Sequence, residues 1–497
     1  ALICGNSIHM AIASFAGHAA GAQIVPVNPI YTERELRIVL ADADPIAIVH
    51  DAGAADMVEP IAADLGIGLV SAPDLPMDAR AAQQAVDHCR AEGAGFILLL
   101  HGGFTMGDVA RQIAASDLPM GVWATPEPSH EGDIQLNSFV SLNMTMSIAR
   151  GVRDLRHAPV QWYFGAPSDA ALRARLRQTL MAVRTAHGLK GSHVGLVGGL
   201  APTFYNMDVS QAGLMSALGV AFAHVDMHEM TGRMDAADAA EVGAEVADMA
   251  AAAEIRGVSD DQMALTARAA LALRAIAGDH GFDALAVSDW PALQQAPGMH
   301  PGAAFSWIEE QDNLPVASEG DVMGAVTQMA VREMTGRVGC LLDMTSPQMD
   351  RDRILMWHGG GGPLYMARDR AAWINHPMIG RGTAEGPRFG AIADFEFGEG
   401  PQTVLRLARD GDAFFAIEGE VVRAEESGFT GCRGWVSNFS DRSGGASAAS
   451  VVTSVMEHGL EHHFVMVPGR WRDAFEEFGG WSGMKRLALI APHAGLA

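Results

Sequence analysis

The amino-acid sequence predicts an α/β protein in which open sheets are followed by a mainly antiparallel, strand-rich C-terminal domain. The first indication is that short apolar runs alternate with alanine-rich amphipathic stretches. Buried parallel strands have such continuous apolar sequences, and helices separate one strand from the next. The second indication is a change after about Pro347, where glycine and proline become denser and short runs of alternating hydrophobicity appear. The 497 residues also suffice for several domains.

Each predicted strand of the α/β part follows a predicted helix. The helix–strand pairs are 81–91 with 95–100, 172–187 with 194–197, and 211–218 with 220–225. Residues 235–271 are rich in Ala, Glu, Asp and Met and contain no proline, so they predict a pair of long helices. The predicted strands of the C-terminal part are 391–397, 403–407 and 413–420.

The charge of the chain excludes some classes of partner. The formal net charge is −25, from 34 basic and 59 acidic residues. A field of this sign repels phosphate backbones and anionic lipids, so neither nucleic acid nor a membrane surface is expected as a partner. No stretch approaches the roughly 20 apolar residues of a membrane span. The apolar opening residues lack the basic region of a secretory signal, so a cytoplasmic protein is expected.

The four cysteines do not predict a structural site. They are far apart and form no C-x-x-C pair, so neither a thiolate zinc site nor a disulfide framework is indicated. These residues are Cys4, Cys89, Cys340 and Cys432.

Carboxylate and imidazole groups stand in three settings typical of a site for a divalent cation. Glu319 and Asp343 each close an apolar, strand-like run, and the pair His462–His463 leads into another. Open α/β sheets bind ligands at the carboxyl ends of their strands, and hard cations prefer such oxygen and nitrogen ligands. Other roles remain open, because Glu319 or Asp343 can cap a following helix, and the histidines can belong to an ordinary strand with one ring buried and the other solvated.

The opening of the chain resembles a different family. The stretch GAQIVPVNPIYTERELRIVLADADPIAIV at 21–49 is similar to the early part of acyl-CoA synthetases and other adenylate-forming enzymes. The resemblance covers about residues 1–70 and implies a βα segment. The phosphate-binding loop of that family, which ends in Pro-Lys, is not found in the rest of the sequence. Adenylation by this chain alone is therefore not expected.

Residues 75–497 resemble the L-fucose isomerase family. The resemblance is carried by motifs in a constant order: VGLVGGLAPTFYNMD at 194–208, DWPAL at 289–293, GAAFSW at 302–307, LPVASEGDVMGAV at 314–326 and MWHGGGGP at 356–363. It implies two Rossmann-like open-sheet domains, at 71–188 and 189–345, and a β-rich domain at 346–497. It also implies a homo-oligomer, a trimer or a hexamer.

The resemblance also implies roles for the acidic residues and the histidines. Glu319 and Asp343 match the two metal-ligating carboxylates of the family, and His463 matches its late metal-ligating histidine. The expected metal is Mn²⁺ or another divalent cation, with His462 beside the substrate. The implied reaction is the interconversion of an aldose and a ketose through a cis-enediol, on a free sugar such as L-fucose or D-arabinose, with Glu319 and Asp343 as the acid–base pair. A non-catalytic sugar-binding relative with the same fold is the alternative.

Three further residues are candidates for substrate binding. His358 stands directly before four glycines, which let a backbone approach a ligand closely, although a histidine in a turn is an equal possibility. Trp290 and Trp435 can stack on a sugar ring, whereas tryptophan more often lies in a core or an interface.

Overall fold

The computed structural model describes most of the chain after residue 58. The described residues are 59–72, 76–116, 118–152, 160–294, 298–375, 391–408, 411–493 and 495. The synthetase-like stretch at 21–49 lies outside them. The chain divides into two compact units, Ala1–Arg184 and Thr185–Ala497.

The first unit contains a three-stranded parallel sheet in the order β1–β2–β3. Its strands are β1 (Ile97–His101), β2 (Met120–Ala124) and β3 (Val160–Phe164). The helices between and around them are α1 (Ala79–Ala91), α2 (Gly107–Ala114), α3 (Ser138–Gly151) and α4 (Ala170–Gly188), the last of which extends into the second unit. The predicted helix at 81–91 and strand at 95–100 are confirmed, and the parallel pairing is that of an open α/β sheet.

The second unit begins with a four-stranded parallel sheet in the order β5–β4–β7–β8. Its strands are β4 (His193–Val197), β5 (Ala221–Val225), β7 (Ala284–Val287) and β8 (Val316–Ala317). The helices of this part are α5 (Gln211–Leu218), α6 (Met227–Ala236), α7 (Ala239–Ala252), α8 (Asp260–His280), α9 (Gly302–Gln311) and α10 (Val322–Thr335). Strands β4 and β5 confirm the predicted runs at 194–197 and 220–225.

The predicted helix pair at 235–271 is confirmed as α7 and α8, with a difference between them. A short strand, β6 (Glu254–Arg256), separates the two helices and pairs in parallel with a strand of a second sheet. Helix α8 begins here because Ser259 and Gln262 form a reciprocal capping box, which satisfies backbone groups at the start of the helix.

A mixed, mostly antiparallel sheet forms the rest of the second unit. Within the described residues it has 11 strands, in the order β18–β14–β13–β17–β9–β10–β15–β12–β11–β6, with β16 paired to β15. Strands β14 and β15 also pair with each other, so β14, β13, β17, β9, β10 and β15 close into a ring. The strands not yet given are β9 (Cys340–Gln348), β10 (Arg353–His358), β11 (Ala372–Asn375), β12 (Ala391–Glu396), β13 (Gly400–Leu407), β14 (Ala413–Val422), β15 (Cys432–Asp441), β16 (Gly444–Gly445), β17 (His463–Pro468) and β18 (Lys485–Arg486). Helices α11 (Ala448–His458) and α12 (Arg472–Trp481) complete this part, and the predicted strand-rich C-terminal region is confirmed.

The position predicted for Asp343 in the fold is wrong. The sequence placed this residue at the tip of an apolar strand that neighbours the strand of Glu319. Strand β9 instead runs on to Gln348 and belongs to the mixed sheet, whereas Glu319 follows β8 of the parallel sheet. The polar residues after Asp343 remain in the strand because β10 pairs with them along its length. Asp343 therefore lies in mid-strand and not at a strand end.

None of the described helices is both long enough and apolar enough to cross a lipid bilayer.

A buried carboxyl group on α9 makes the stability of the second unit depend on pH. Glu309 accepts hydrogen bonds from the Gln328 side chain at 2.6 Å and from the Val316 backbone at 3.4 Å, and its Oε2 is buried with no hydrogen-bond partner among the described residues. Burial raises the pKa of Glu309 to about 8, against the smaller opposing effect of these two donors. The folded state thus holds one proton more than the unfolded chain between about pH 4.5 and pH 8.

The variant Glu309→Gln is expected to lose this pH dependence. In the wild type the stabilising contribution of the protonated carboxyl is complete below the unfolded pKa and disappears as pH rises through about 8. Glutamine keeps an acceptor oxygen and carries no charge, so its melting temperature should exceed that of the wild type more at about pH 8.5 than at about pH 5. Melting curves at both pH values measure this, and an equal difference at both would contradict the assignment.

Candidate active site

Glu319 has a backbone conformation that is unusual for a residue other than glycine. Ser318 separates it from the end of β8, and its φ of 61° lies in the left-handed region, which costs about 1–2 kcal/mol for an L-residue. Hydrogen bonds on both sides hold it there. The Glu319 N–H donates to Asp289 Oδ1 at 2.6 Å, and its carbonyl accepts from the Ala201 N–H at 3.0 Å. The fold therefore fixes the direction in which this carboxylate points.

The next residue, Gly320, needs to be glycine. Its φ is 71°, and a Cβ added there would collide with the carbonyl oxygen of Gly199. Gly199 belongs to the loop after β4, so this close approach brings that loop against Glu319. The loop continues to Phe204 and Asn206, which therefore also lie at the site.

His463 is oriented by a carboxylate behind it. Its Nδ1 lies 3.0 Å from Oδ2 of Asp321, the residue that also caps α10 by accepting from the Gly324 N–H at 2.8 Å. Because an ionised carboxylate only accepts, His463 Nδ1 carries the proton and donates it to this bond. The other ring nitrogen, Nε2, then faces Glu319 and Asp343 with its lone pair free to bind a metal.

Arg406 holds the carboxylate of Asp321 in place. Its guanidinium donates to both oxygens of Asp321, at 2.7 and 3.2 Å, and to Glu461 at 3.4 Å. The side chains of Arg406 and Asp321 are both 0% exposed. Burial raises the pKa of Asp321, but the charges of Arg406 and His463 outweigh it and hold that pKa far below its usual range. Asp321 is therefore a fixed negative charge behind His463.

Asp343 reaches the same point from β9. Strands β9 and β17 place Asp343 directly opposite His463. Its Oδ1 lies 4.0 Å from His463 Nε2, and the same nitrogen lies 3.6 Å from Glu319 Oε2. Asp343 Oδ1 is buried and has no hydrogen-bond partner among the described residues. Burial is the largest effect on this carboxyl and raises its pKa.

These groups form a donor set that fits a divalent cation. Two carboxylates and one imidazole, whose Nε2 can exchange its proton for a cation, are hard or intermediate ligands, of the kind that suits Mn²⁺ or Zn²⁺. Burial lowers the pKa of His463, but the hydrogen bond to Asp321 and the charges of Asp343, Asp321 and Glu319 together raise it to about 9. The cluster thus attracts positive charge. Among the described residues, a buried carboxylate oxygen without a hydrogen-bond partner is the observation that fits a bound cation most directly.

His462 lies on the more exposed side of the cluster. Its Nε2 is 3.2 Å from Glu319 Oε2, and its side chain is 38% exposed. One ligand atom each from Glu319, His462 and His463 lie within 4.8 Å of one another. By distance alone, either histidine is near enough to share a cation with Glu319.

The remaining predicted site residues have different positions. His358 ends β10, and its Nε2 lies 3.1 Å from Ser318 Oγ while its ring centroid is 5.8 Å from that of His463. Trp290 is 39% exposed, and its ring lies 5.9 Å from that of Phe204, which in turn is 5.4 Å from that of His462. Both residues are therefore close to the cluster.

Trp435 corrects the prediction of a second stacking tryptophan. It is 5% exposed, in the middle of β15, and its indole N–H donates to the Glu426 carbonyl at 2.7 Å. The guanidinium of Arg353 covers its ring at 4.2 Å. Because the ring is buried and covered by Arg353, it has no face to offer to a sugar, and the core role, which the sequence left open, is the one that fits.

Sequence reasoning assigned no role to several residues of this site. One of them is His300, whose Nε2 lies 3.4 Å from Asp289 Oδ2. The others are Asp289, Asp321, Arg406, Phe204 and Asn206. Asp289 carried a usable signal, since it follows the apolar run of β7 just as Glu319 follows β8. Asp321 also carried a signal, because it stands two residues after Glu319. Nothing in the sequence distinguishes Arg406, which lies inside the apolar strand β13.

The parallel sheet, the mixed sheet and the carboxylate–imidazole cluster define an α/β protein with a candidate metal-dependent active site. Comparisons with known proteins find relatives that are named as isomerases. The chain is 26% identical over 368 residues to a sulfoquinovose isomerase of Priestia aryabhattai, covering 73% of this chain and 78% of the relative. It is 23% identical over 365 residues to that of Alkalicoccus urumqiensis, covering 73% and 78%. It is 27% identical over 369 residues to that of Clostridium sp. (strain MSTE9), covering 71% and 77%.

These relatives confirm the prediction that the chain is an enzyme, an aldose–ketose isomerase. The opening of the chain matches a different family: the model of the AMP-binding enzymes covers residues 1–98. That match agrees with the resemblance to adenylate-forming enzymes predicted for 1–70 and extends into β1.

Proposed function

We propose that the chain is a divalent-cation-dependent aldose–ketose isomerase that acts on a free sugar through a cis-enediol, with Mn²⁺ as its cation. Glu319, Asp343 and His463 would hold the cation. The observation that supports this most strongly is the buried Asp343 Oδ1, which has no hydrogen-bond partner among the described residues and lies 4.0 Å from His463 Nε2, while His463 Nδ1 is held by Asp321.

The residues of the cluster suit the chemistry of this reaction. When bound, a divalent cation stabilises negative charge on the neighbouring sugar oxygens. Glu319 takes the proton from the carbon beside the carbonyl and returns it to the adjacent carbon, and Asp343 forms the acid–base pair with it. The Glu319 N–H donates to Asp289 and the Glu319 carbonyl accepts from the Ala201 N–H, so the backbone is fixed and the carboxylate is positioned before the sugar binds.

Sulfoquinovose is the first sugar to test, because the relatives are named for it. L-fucose and D-arabinose, the sugars implied by the sequence motifs, complete the panel. A sulfonate on the substrate would need a cationic or hydrogen-bonding receptor. Arg406 does not serve as one, since it is fully buried and held by Asp321 and Glu461.

Metal removal tests the proposal. Protein purified without chelator should contain Mn²⁺ or take it up, and should convert at least one sugar of the panel to its ketose. EDTA should abolish the conversion and added Mn²⁺ should restore it. A folded protein that binds no divalent cation and converts none of the three sugars would contradict the proposal and would favour a non-catalytic sugar-binding relative.

A further inference from the structure

The two adjacent histidines of the site form hydrogen bonds of opposite direction at Nδ1: the ring of His463 donates, whereas the ring of His462 accepts. His463 Nδ1 lies against the carboxylate of Asp321, which accepts. His462 Nδ1 lies 3.2 Å from the amide nitrogen of Asn206. An amide nitrogen donates and does not accept, so His462 Nδ1 must be the acceptor of this bond.

A neutral imidazole carries one proton, so the direction of the hydrogen bond at Nδ1 decides whether Nε2 is protonated. With Nδ1 protonated and held by Asp321, His463 can give up a proton at Nε2 to a cation and remain a neutral ring facing Glu319 and Asp343. With Nδ1 accepting, neutral His462 carries its proton on Nε2 and points it at Glu319 Oε2, 3.2 Å away. A nitrogen that carries a proton cannot ligate a metal. The ring of Phe204, from the same loop as Asn206, lies 5.4 Å from the His462 ring and packs beside it.

We propose that Asn206 is a positioning residue that keeps His462 out of the metal shell and makes it a neutral hydrogen-bond donor to the sugar oxygen on which charge develops. The inference rests on the proposed isomerase function. It adds the group that donates a hydrogen bond to the charged sugar oxygen, while Glu319 moves the proton between the two carbons. Neutral imidazole is known to polarise a carbonyl in enediol chemistry. His462 Nε2–H is within reach of Glu319, so the donor lies beside the base.

The bond balance of the reaction is complete with these groups. The C2–H bond breaks and its proton passes to Glu319, while negative charge develops on O1 and is met by the His462 N–H. The proton on Glu319 then forms the new C1–H bond, and Asp343, the other member of the acid–base pair, carries the proton of the O2 hydroxyl to O1. His462 keeps its own proton through the cycle, and no oxidant or reductant is required.

Mn²⁺ affinity separates this arrangement from one in which both histidines bind the metal. Equilibrium dialysis of the full-length protein should show that His463→Gln loses Mn²⁺ binding, whereas His462→Gln keeps the dissociation constant within about threefold of the wild type. With the sugar that the wild type converts, His462→Gln should lower kcat by about 10²–10³-fold. If His462→Gln loses Mn²⁺ as His463→Gln does, the inference is wrong.

Two variants of Asn206 test the direction of the hydrogen bond. Asn206→Ala should lower kcat about tenfold, with KM and Mn²⁺ affinity little changed. Asn206→Asp should lower kcat further, because a carboxylate accepts from Nδ1 and strips the proton from Nε2. A structural role for the loop would instead give equal losses in the two variants, and that result, or wild-type kcat for Asn206→Asp, would overturn the inference.

A matched control is available in Asn438→Asp. It makes the same change of charge at an exposed asparagine on β15, outside the cluster, and kcat should stay at the wild-type value. Failure of the inference is distinguishable from failure of the proposed function. A wild type without Mn²⁺ or turnover removes the function, whereas a wild type with both and a metal-poor His462→Gln removes only the inference.

Discussion

The variant Glu319→Gln is expected to abolish turnover while the protein stays folded. Glutamine matches the shape of glutamate but can neither accept the carbon-bound proton nor contribute charge to a cation, so kcat should fall by about 10²–10⁴-fold from the loss of the base alone. The backbone bonds to Asp289 and Ala201 do not involve the side chain and should survive. Steady-state kinetics and melting temperature, measured together, check both halves of this prediction.

A remote acid provides the control for Glu319. Glu425→Gln removes the same charge from an exposed position in the loop after β14 and should leave both kcat and the melting temperature unchanged. Wild-type turnover in Glu319→Gln would show that another group removes the proton. A large drop in melting temperature would show that the carboxylate is structural.

The second large effect is expected for Asp321→Asn, and it combines stability with metal binding. Asp321 and Arg406 are both fully buried, so neutralising the aspartate leaves Glu461 as the one carboxylate among the described residues that is paired with the arginine. Breaking a buried ion pair on one side costs about 3–5 kcal/mol of unfolding free energy. Asparagine can also turn its amide nitrogen to His463 and donate to Nδ1. The ring proton then moves to Nε2, the nitrogen that would bind the cation, so Mn²⁺ affinity should fall about 10–100-fold. Urea denaturation and equilibrium dialysis measure the two effects.

A double variant separates the charge from the packing. Asp321→Asn combined with Arg406→Met removes the arginine charge as well. The double variant should therefore lose less unfolding free energy than the two single variants lose together. Mn²⁺ affinity should remain low, because His463 still lacks its carboxylate. Strict additivity of the two single losses, or an unchanged affinity for Mn²⁺, would contradict the role given to Asp321.

The sequence predicted those helices and strands best whose position depends on a local pattern of residues. Apolar runs predicted β1, β4 and β5, and alternating runs predicted β12, β13 and β14, because burial on one or two faces leaves a period in the residues. The strand of Asp343 was misplaced for the opposite reason. Its continuation through polar residues depends on pairing with β10, and such a long-range partner leaves no period in the sequence.

The candidate site shows the same division. Glu319 and the histidine pair were found because a charged residue at the end of an apolar run is locally conspicuous. Arg406, Asn206 and His300 were missed because each acts through a residue that is distant in sequence: Asp321, His462 and Asp289 respectively. The role of Trp435 stayed open between stacking and core because the sequence does not reveal the arginine that covers its ring.

The most direct test is to locate the ion itself. Crystals of the protein grown or soaked with Mn²⁺ should show, by anomalous scattering, one strong peak per chain at coordination distance from Glu319, Asp343 and His463 Nε2, with His462 Nε2 outside that distance. A peak anywhere else in the protein, or no peak in crystals that contain Mn²⁺, would contradict the assignment of these three side chains as one cation site.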